Sequence, residues 1–239
     1  MSLLLESPRT GTLTPALLAI SHGTSSPIGQ RAVAGLVAAV DRARSDVTVA
    51  GGFVDVQQPD VAATLETTPG PAAIVPLLLS AGYHVHVDLR RSIRDVPGAV
   101  LAAALGPDDR LVAVLERRLV EAGLRRSDRV VLACAGSSDQ RAVDDCVEMG
   151  ARLSRRINRE VRVGFISAAS PRLEDAVDLE KARGGRVVVA TYLLAPGYFA
   201  DLARSTAADV TTEPLLRAGD EPPRELVDLV LDRYAGALA

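Results

Sequence analysis

Apolar residues in this chain come in short unbroken runs separated by stretches of helical periodicity. ALLAI (16–20), VTVAGGFV (47–54), the run from Ala72 to Leu79 and that from Ala99 to Leu105 have strand length, without the polar alternation of a half-exposed strand. Between them, Gln30 to Arg44 carries Ala32, Val33, Leu36, Val37 and Val40 on one helical face. A short helix is expected to open at Pro59 and run through Glu66, and another to start across Arg90 to Arg94. Asp108 to Ala122 is amphipathic and stops at a glycine C-cap, Gly123. Strands alternating with helices predict an α/β fold built on a parallel sheet with helices on both faces.

Past Arg125 to Arg129, read as a linker, the pattern starts again. AISHGTSS is echoed by LACAGSSD, Gln30-Arg31-Ala32-Val33 by Gln140-Arg141-Ala142-Val143, Gly52-Phe53-Val54 with Pro59 by Gly164-Phe165-Ile166 with Pro171, and LLLSAGYH by YLLAPGYF. The offset stays between 110 and 115 residues, which predicts two copies of one domain, over 1–124 and 125–239. The expected strand order in each is the flavodoxin-like 2-1-3-4.

Composition narrows the function. A formal net charge of −3 gives no general attraction to nucleic acid or to anionic membranes, and no window is long and apolar enough for a membrane span. The leader MSLLLESPRTGTLTP falls short of a signal peptide. Cys134 and Cys146 have no metal-ligand spacing and read as reduced core thiols of a cytosolic protein. Aromatic residues are only 3% of the chain and tryptophan is absent, so the cores must be aliphatic.

The chain has three histidines, and all follow strands of the first half. His22 comes after the first strand; His84 and His86, with Asp88, come after the third. Ligands of open α/β sheets bind beyond the carboxyl ends of the strands, so His22 and His84 are expected to face one cleft, with His86 there or facing solvent. Read as an extended stretch, His84, His86 and Asp88 would lie on one side, or Asp88 would cap a helix starting near Arg90. The second half has Ala135 in place of His22, Ser167 in place of Asp55 and Phe199 in place of His84. It keeps the fold residues and loses the side chains able to bind a metal.

Neutral imidazole with a carboxylate suits divalent iron, cobalt, nickel or zinc, and His22, His84 and Asp55 or His86 would leave coordination positions open. Imidazole also accepts protons near neutral pH. Arg90, Arg91 and Arg94 beside the histidines, and Gly23-Thr24-Ser25-Ser26 at a helix N-terminus, are candidates for gripping carboxylates. No P-loop, GxGxxG or G-x-S-x-G motif is present. A histidine phosphatase reading of Ser21-His22-Gly23 lacks the arginine directly before the histidine.

Together the HGT loop, GFVDVQQP and PLLLSAGYHVHVDL resemble the sirohydrochlorin chelatase family, whose second histidine lies in a G-x-H-x-x-x-D-[IL] segment matched by Gly82, His84, Asp88 and Leu89. The resemblance implies two chelatase-like domains around a tetrapyrrole cleft, the second a degenerate repeat. It implies His22 and His84 as catalytic residues and metal ligands, with Asp55 as a further ligand. Thr24, Ser25, Gly82, Tyr83, Arg90 and Arg91 would bind the polycarboxylate substrate. No cofactor would be permanently bound: the metal is a substrate, ferrous iron first and divalent cobalt next. A monomer or homodimer in the cytoplasm is expected, with a non-catalytic metal or tetrapyrrole carrier as the alternative. One departure is Asp55, where the family has a glutamate; aspartate keeps the charge with one methylene less reach.

Overall fold

The computed structural model describes residues 14–68, 70–80 and 82–239, with backbone alone for 83–87. The first part of the expected leader, residues 1–13, lies outside the described residues. The first half runs β1 (Ala16–Ser21), α1 (Pro27–Ala43), β2 (Val49–Phe53), α2 (Val61–Thr67), β3 (Ala72–Pro76), α3 (Tyr83–Ile93), β4 (Ala99–Leu101) and α4 (Asp109–Glu121). The second repeats it as β5 (Arg129–Cys134), α5 (Gln140–Ile157), β6 (Val161–Phe165), α6 (Leu173–Ala182), β7 (Val187–Tyr192), α7 (Tyr198–Arg204), β8 (Val210–Thr211) and α8 (Arg224–Leu238). Each half holds a four-stranded parallel sheet, ordered β2-β1-β3-β4 and β6-β5-β7-β8, which is the expected strand order twice over.

Alternation along the central strands sorts the core into layers. Leu17 and Ala19 of β1, Val75 of β3, Leu132 of β5 and Ala190 of β7 point into one large cluster shared by both halves. Leu18, Ile20 and Ile74 face an outer cluster beneath α2 and α3, and Val131, Val187 and Val189 face another beneath α6 and α7. These side chains are buried, and each valine, leucine or isoleucine among them contributes roughly 2 kcal/mol.

The shared layer is filled by exchange of the terminal helices. The helix that ends the first half, α4, packs on β7 and α5; the helix that ends the second, α8, packs on β3, β4 and α1; and the two touch each other. Each carries one arginine to the opposite loop. Arg118, buried, donates to the carbonyls of Pro214 (3.0 Å) and Leu215 (2.7 Å). Its counterpart Arg233 donates to those of Ala104 (2.7 Å) and Leu105 (2.9 Å). Arg110 to Asp232 (2.5 Å) and an Arg117–Glu225 ion pair join the helices directly.

The observed elements correct three local expectations. Helix α1 begins at Pro27 and not at Gln30, because Ser26 caps it by accepting from the Gly29 N–H (3.4 Å) and proline suits the first turn. Strands β3 and β4 end at Pro76 and Leu101, short of Leu79 and Leu105. Most consequentially, His84 to Asp88 is helical: α3 starts at Tyr83 after Gly82, so Asp88 lies inside the helix and caps nothing near Arg90. At about 100° per residue, His86 stands roughly 200° around the helix from His84, whereas Asp88, four residues on, shares its face.

Candidate active site

The carboxyl ends of β1 and β3 face those of β5 and β7 across a cleft of about 610 Å³. The first half lines it with Ser21 to Ser25, Val56, Gln57 and Leu77 to Ser80, and the second with Ala135 to Ser137 and Leu193 to Ala200. At the floor the Tyr192 hydroxyl donates to the Leu79 carbonyl at 2.8 Å, joining the halves. Burial pushes the Tyr192 phenol well above its usual pKa, so it stays protonated as this donor. The halves also meet where Gly29 leaves no room for a Cβ against the Pro196 carbonyl, at 2.2 Å.

His22, exposed, lines the cleft on a loop that is tightly fixed. Its carbonyl accepts from the Asp55 N–H (3.1 Å), and the Ser21 carbonyl accepts from the Val54 N–H (2.9 Å). Gly23 follows at φ +94°, and a Cβ there would stand 2.1 Å from the Asp55 carbonyl oxygen, so only glycine fits. Two glutamines then hold Thr24 from both sides: its N–H donates to Gln57 Oε1 (2.8 Å) and its carbonyl accepts from Gln30 Nε2 (2.8 Å).

The second half keeps the glycine and drops the clamp. Gly136, at φ +92°, would place a Cβ 1.8 Å from the Ser167 carbonyl. Ala169 stands at the place of Gln57, and Gln140, the counterpart of Gln30, turns away to Asp144 (2.8 Å). Gln57 is the site residue that motif reading passed over; its loss from the repeat alongside the histidine was the available signal.

The structure treats the other sequence candidates unequally. Ser25 and Gly82 line the cleft. Thr24 lines it too, but its hydroxyl accepts from the Ser26 N–H (3.1 Å), so this loop spends much of its expected anion-binding capacity on itself. His84 and Tyr83 occupy the first turn of α3, directly after Gly82. Asp55 is paired with His22 through the backbone, while its carboxylate accepts from the Val56 N–H (2.7 Å) and is not among the cleft-lining groups. Arg90 and Arg91 lie in the last turn of α3, about 12 Å along the helix from Gly82, and are not among those lining the cleft either. Among the described residues no group of three or more His, Cys, Asp or Glu side chains gathers, and no Lys, Arg, Asp or Glu lines the cleft.

Two linked parallel sheets with strand-end loops closing on a shared cleft define a bilobal α/β protein of the chelatase-like class. The chain belongs to the CbiX family, whose model matches residues 16–122 and again 129–214. A sirohydrochlorin cobaltochelatase of Methanosarcina barkeri (strain Fusaro) is 27% identical over 123 residues, covering 44% of this chain and 95% of that protein, about one of the two repeats. SirB from Bacillus subtilis with Fe3+ superposes with a TM-score of 0.74 at 23% identity, over 94% of this chain and 96% of that one. The sirohydrochlorin chelatase SirB from Bacillus subtilis subspecies spizizenii, in complex with cobalt, gives a TM-score of 0.67 at 18% identity, over 93% and 94% of the two chains. Among the described residues no helix is long and apolar enough to cross a membrane.

Proposed function

We propose that this chain is a sirohydrochlorin chelatase that inserts a divalent first-row metal, ferrous iron or divalent cobalt, into the tetrapyrrole within the cleft between its halves. Membership of the CbiX family supports the reaction class. The observation that carries the assignment to this cleft is its chemistry: a broad apolar lining with the His22 imidazole on a clamped loop. Such a lining suits the faces of a large macrocycle, and the volume falls in the range of small-molecule sites. It is poorly suited to a phosphate ester, which would need cationic donors inside.

In this reading His22 and His84 hold the incoming metal and accept the protons released by the pyrrole nitrogens. Neutral imidazole binds either ion, so the metal used depends on supply as well as on the site. Asp55 would join the metal through its second carboxylate oxygen, Oδ1 being held by the Val56 N–H. Ser25, Thr24 and the Gly82-Tyr83 backbone border the substrate. Arg90 and Arg91 would meet only carboxylates that reach past the cleft mouth.

The test is anaerobic absorbance of metal-free sirohydrochlorin with substoichiometric protein and either ion. Many turnovers per protein, faster than metal and tetrapyrrole alone, are expected. A spectral change that stops at one equivalent of protein would identify a carrier, and no change would remove the tetrapyrrole reading.

A further inference from the structure

The second half is not a blank copy at its cleft edge. Where the first half has Gly82-Tyr83-His84 opening α3, the second has Gly197-Tyr198-Phe199 opening α7. Both aromatic side chains line the cleft, Tyr198 70% exposed and Phe199 36% exposed, with ring centroids 6.1 Å apart and planes tilted by 46°.

This placement runs against the economy of the rest of the chain. Only four tyrosines and three phenylalanines are present, and Tyr192, Tyr234 and Phe165 are buried. Tyr198 and Phe199 are the exposed aromatics among the described residues, and both line the cleft together with Leu193, Leu194 and Pro196. Large apolar rings gathered at the mouth of a cleft forgo burial in the free protein, which is the usual mark of a binding surface. The lining has no charged side chain among the described residues that would recruit an extended peptide or a phosphate, whereas flat conjugated ring systems pair favourably with tilted and offset aromatic rings.

We propose that Tyr198 and Phe199 form an aromatic platform on which the macrocycle rests by its face, so that the second half of the chain supplies a macrocycle-binding surface where the first half supplies the metal-binding histidines. This rests on the chelatase reading. On it, the replacement at the His84 position exchanges a metal ligand for a ring that holds the second substrate. The platform residues set macrocycle affinity and leave metal binding to the histidines of the first half.

The experiment is calorimetric titration of metal-free sirohydrochlorin into the intact protein and into Tyr198→Ala, Phe199→Ala, Phe199→Tyr and the double alanine variant, with cobalt turnover measured on each. About tenfold weaker binding is expected for Phe199→Ala, a few-fold for Tyr198→Ala, and near-normal binding for Phe199→Tyr. The KM for the tetrapyrrole should rise with little change in kcat, and cobalt affinity without macrocycle should stay as in the parent. Tyr198, the more exposed ring, keeps the test open if Phe199→Ala unfolds. Parent-like affinity in the double variant with turnover intact would overturn the platform and leave the chelatase standing. No binding or turnover by the parent protein would remove the chelatase reading itself.

Discussion

Replacing Gly23 by alanine tests whether the His22 loop is fixed by its packing on the β2 loop. At φ +94° an L-residue loses about 1–2 kcal/mol relative to glycine. The new Cβ would also start 2.1 Å from the Asp55 carbonyl oxygen, so one loop must retreat by roughly 1 Å. That retreat strains the Asp55 N–H to His22 carbonyl bond, now 3.1 Å, worth about 1 kcal/mol. Gly23→Ala is therefore expected to cost about 2–3 kcal/mol, lowering the urea midpoint by about 1 M, and to displace His22. Gly136→Ala provides the matched control, with φ +92° and a contact of 1.8 Å to the Ser167 carbonyl, but Ala135 where the first half has histidine. Equilibrium unfolding with turnover measured in buffer should show similar stability losses for both variants and loss of turnover for Gly23→Ala alone. A Gly23→Ala protein within about 0.5 kcal/mol of the parent and fully active would refute the packing argument. Equal loss of turnover in both variants would refute the asymmetry of the site.

Three further outcomes are expected. Gln57→Ala removes the acceptor for the Thr24 N–H and should lower kcat about tenfold through misplacement of the His22 loop, while Gln57→Glu, which keeps an acceptor, recovers most of it in the same assay. Arg118→Ala strips the buried carbonyls of Pro214 and Leu215 of their donor and should cost about 2–4 kcal/mol in urea unfolding; Arg118→Lys should recover only part, and a null effect would count against the helix exchange as a source of stability. Burial acts to raise the Asp108 pKa, but hydrogen bonds from the Arg110 side chain and backbone, with Arg233 nearby, hold it below the usual carboxylate range. Its contribution to stability is thus complete above the unfolded pKa of about 3.9 and is lost as pH falls through the lower folded value, so Asp108→Asn should flatten the acid limb of a stability–pH curve.

The buried strands β1, β3, β5 and β7 were legible because a strand covered on both faces must be continuously apolar, and the repeat implied one strand order for both halves, although the order itself, 2-1-3-4, came from likeness to flavodoxin-like sheets and not from the residues. Helix α3 was misread because Val-His-Val alternates like a strand, and nothing in five residues outweighs that signal without the following turn. The exchange of α4 and α8 was not legible at all: an amphipathic stripe says that a helix is covered, and not which of two like sheets covers it. His22 and its glycine were readable from the HGT motif. Gln57 could have been found by asking what else the second copy loses, since Ala169 replaces it. The arginines of α3 drew attention by charge and sequence proximity, and the helix carries them away from the cleft lining.

The measurement that bears most directly on the central claim is the anaerobic rate of metal insertion into sirohydrochlorin by the parent protein, His22→Ala and His84→Ala, at substoichiometric protein with ferrous iron and with divalent cobalt. The account predicts multiple turnovers by the parent with at least one ion and rates near the uncatalysed background for both variants, each folded as judged by unfolding midpoint. Parent-like turnover by a folded His22→Ala protein would contradict it.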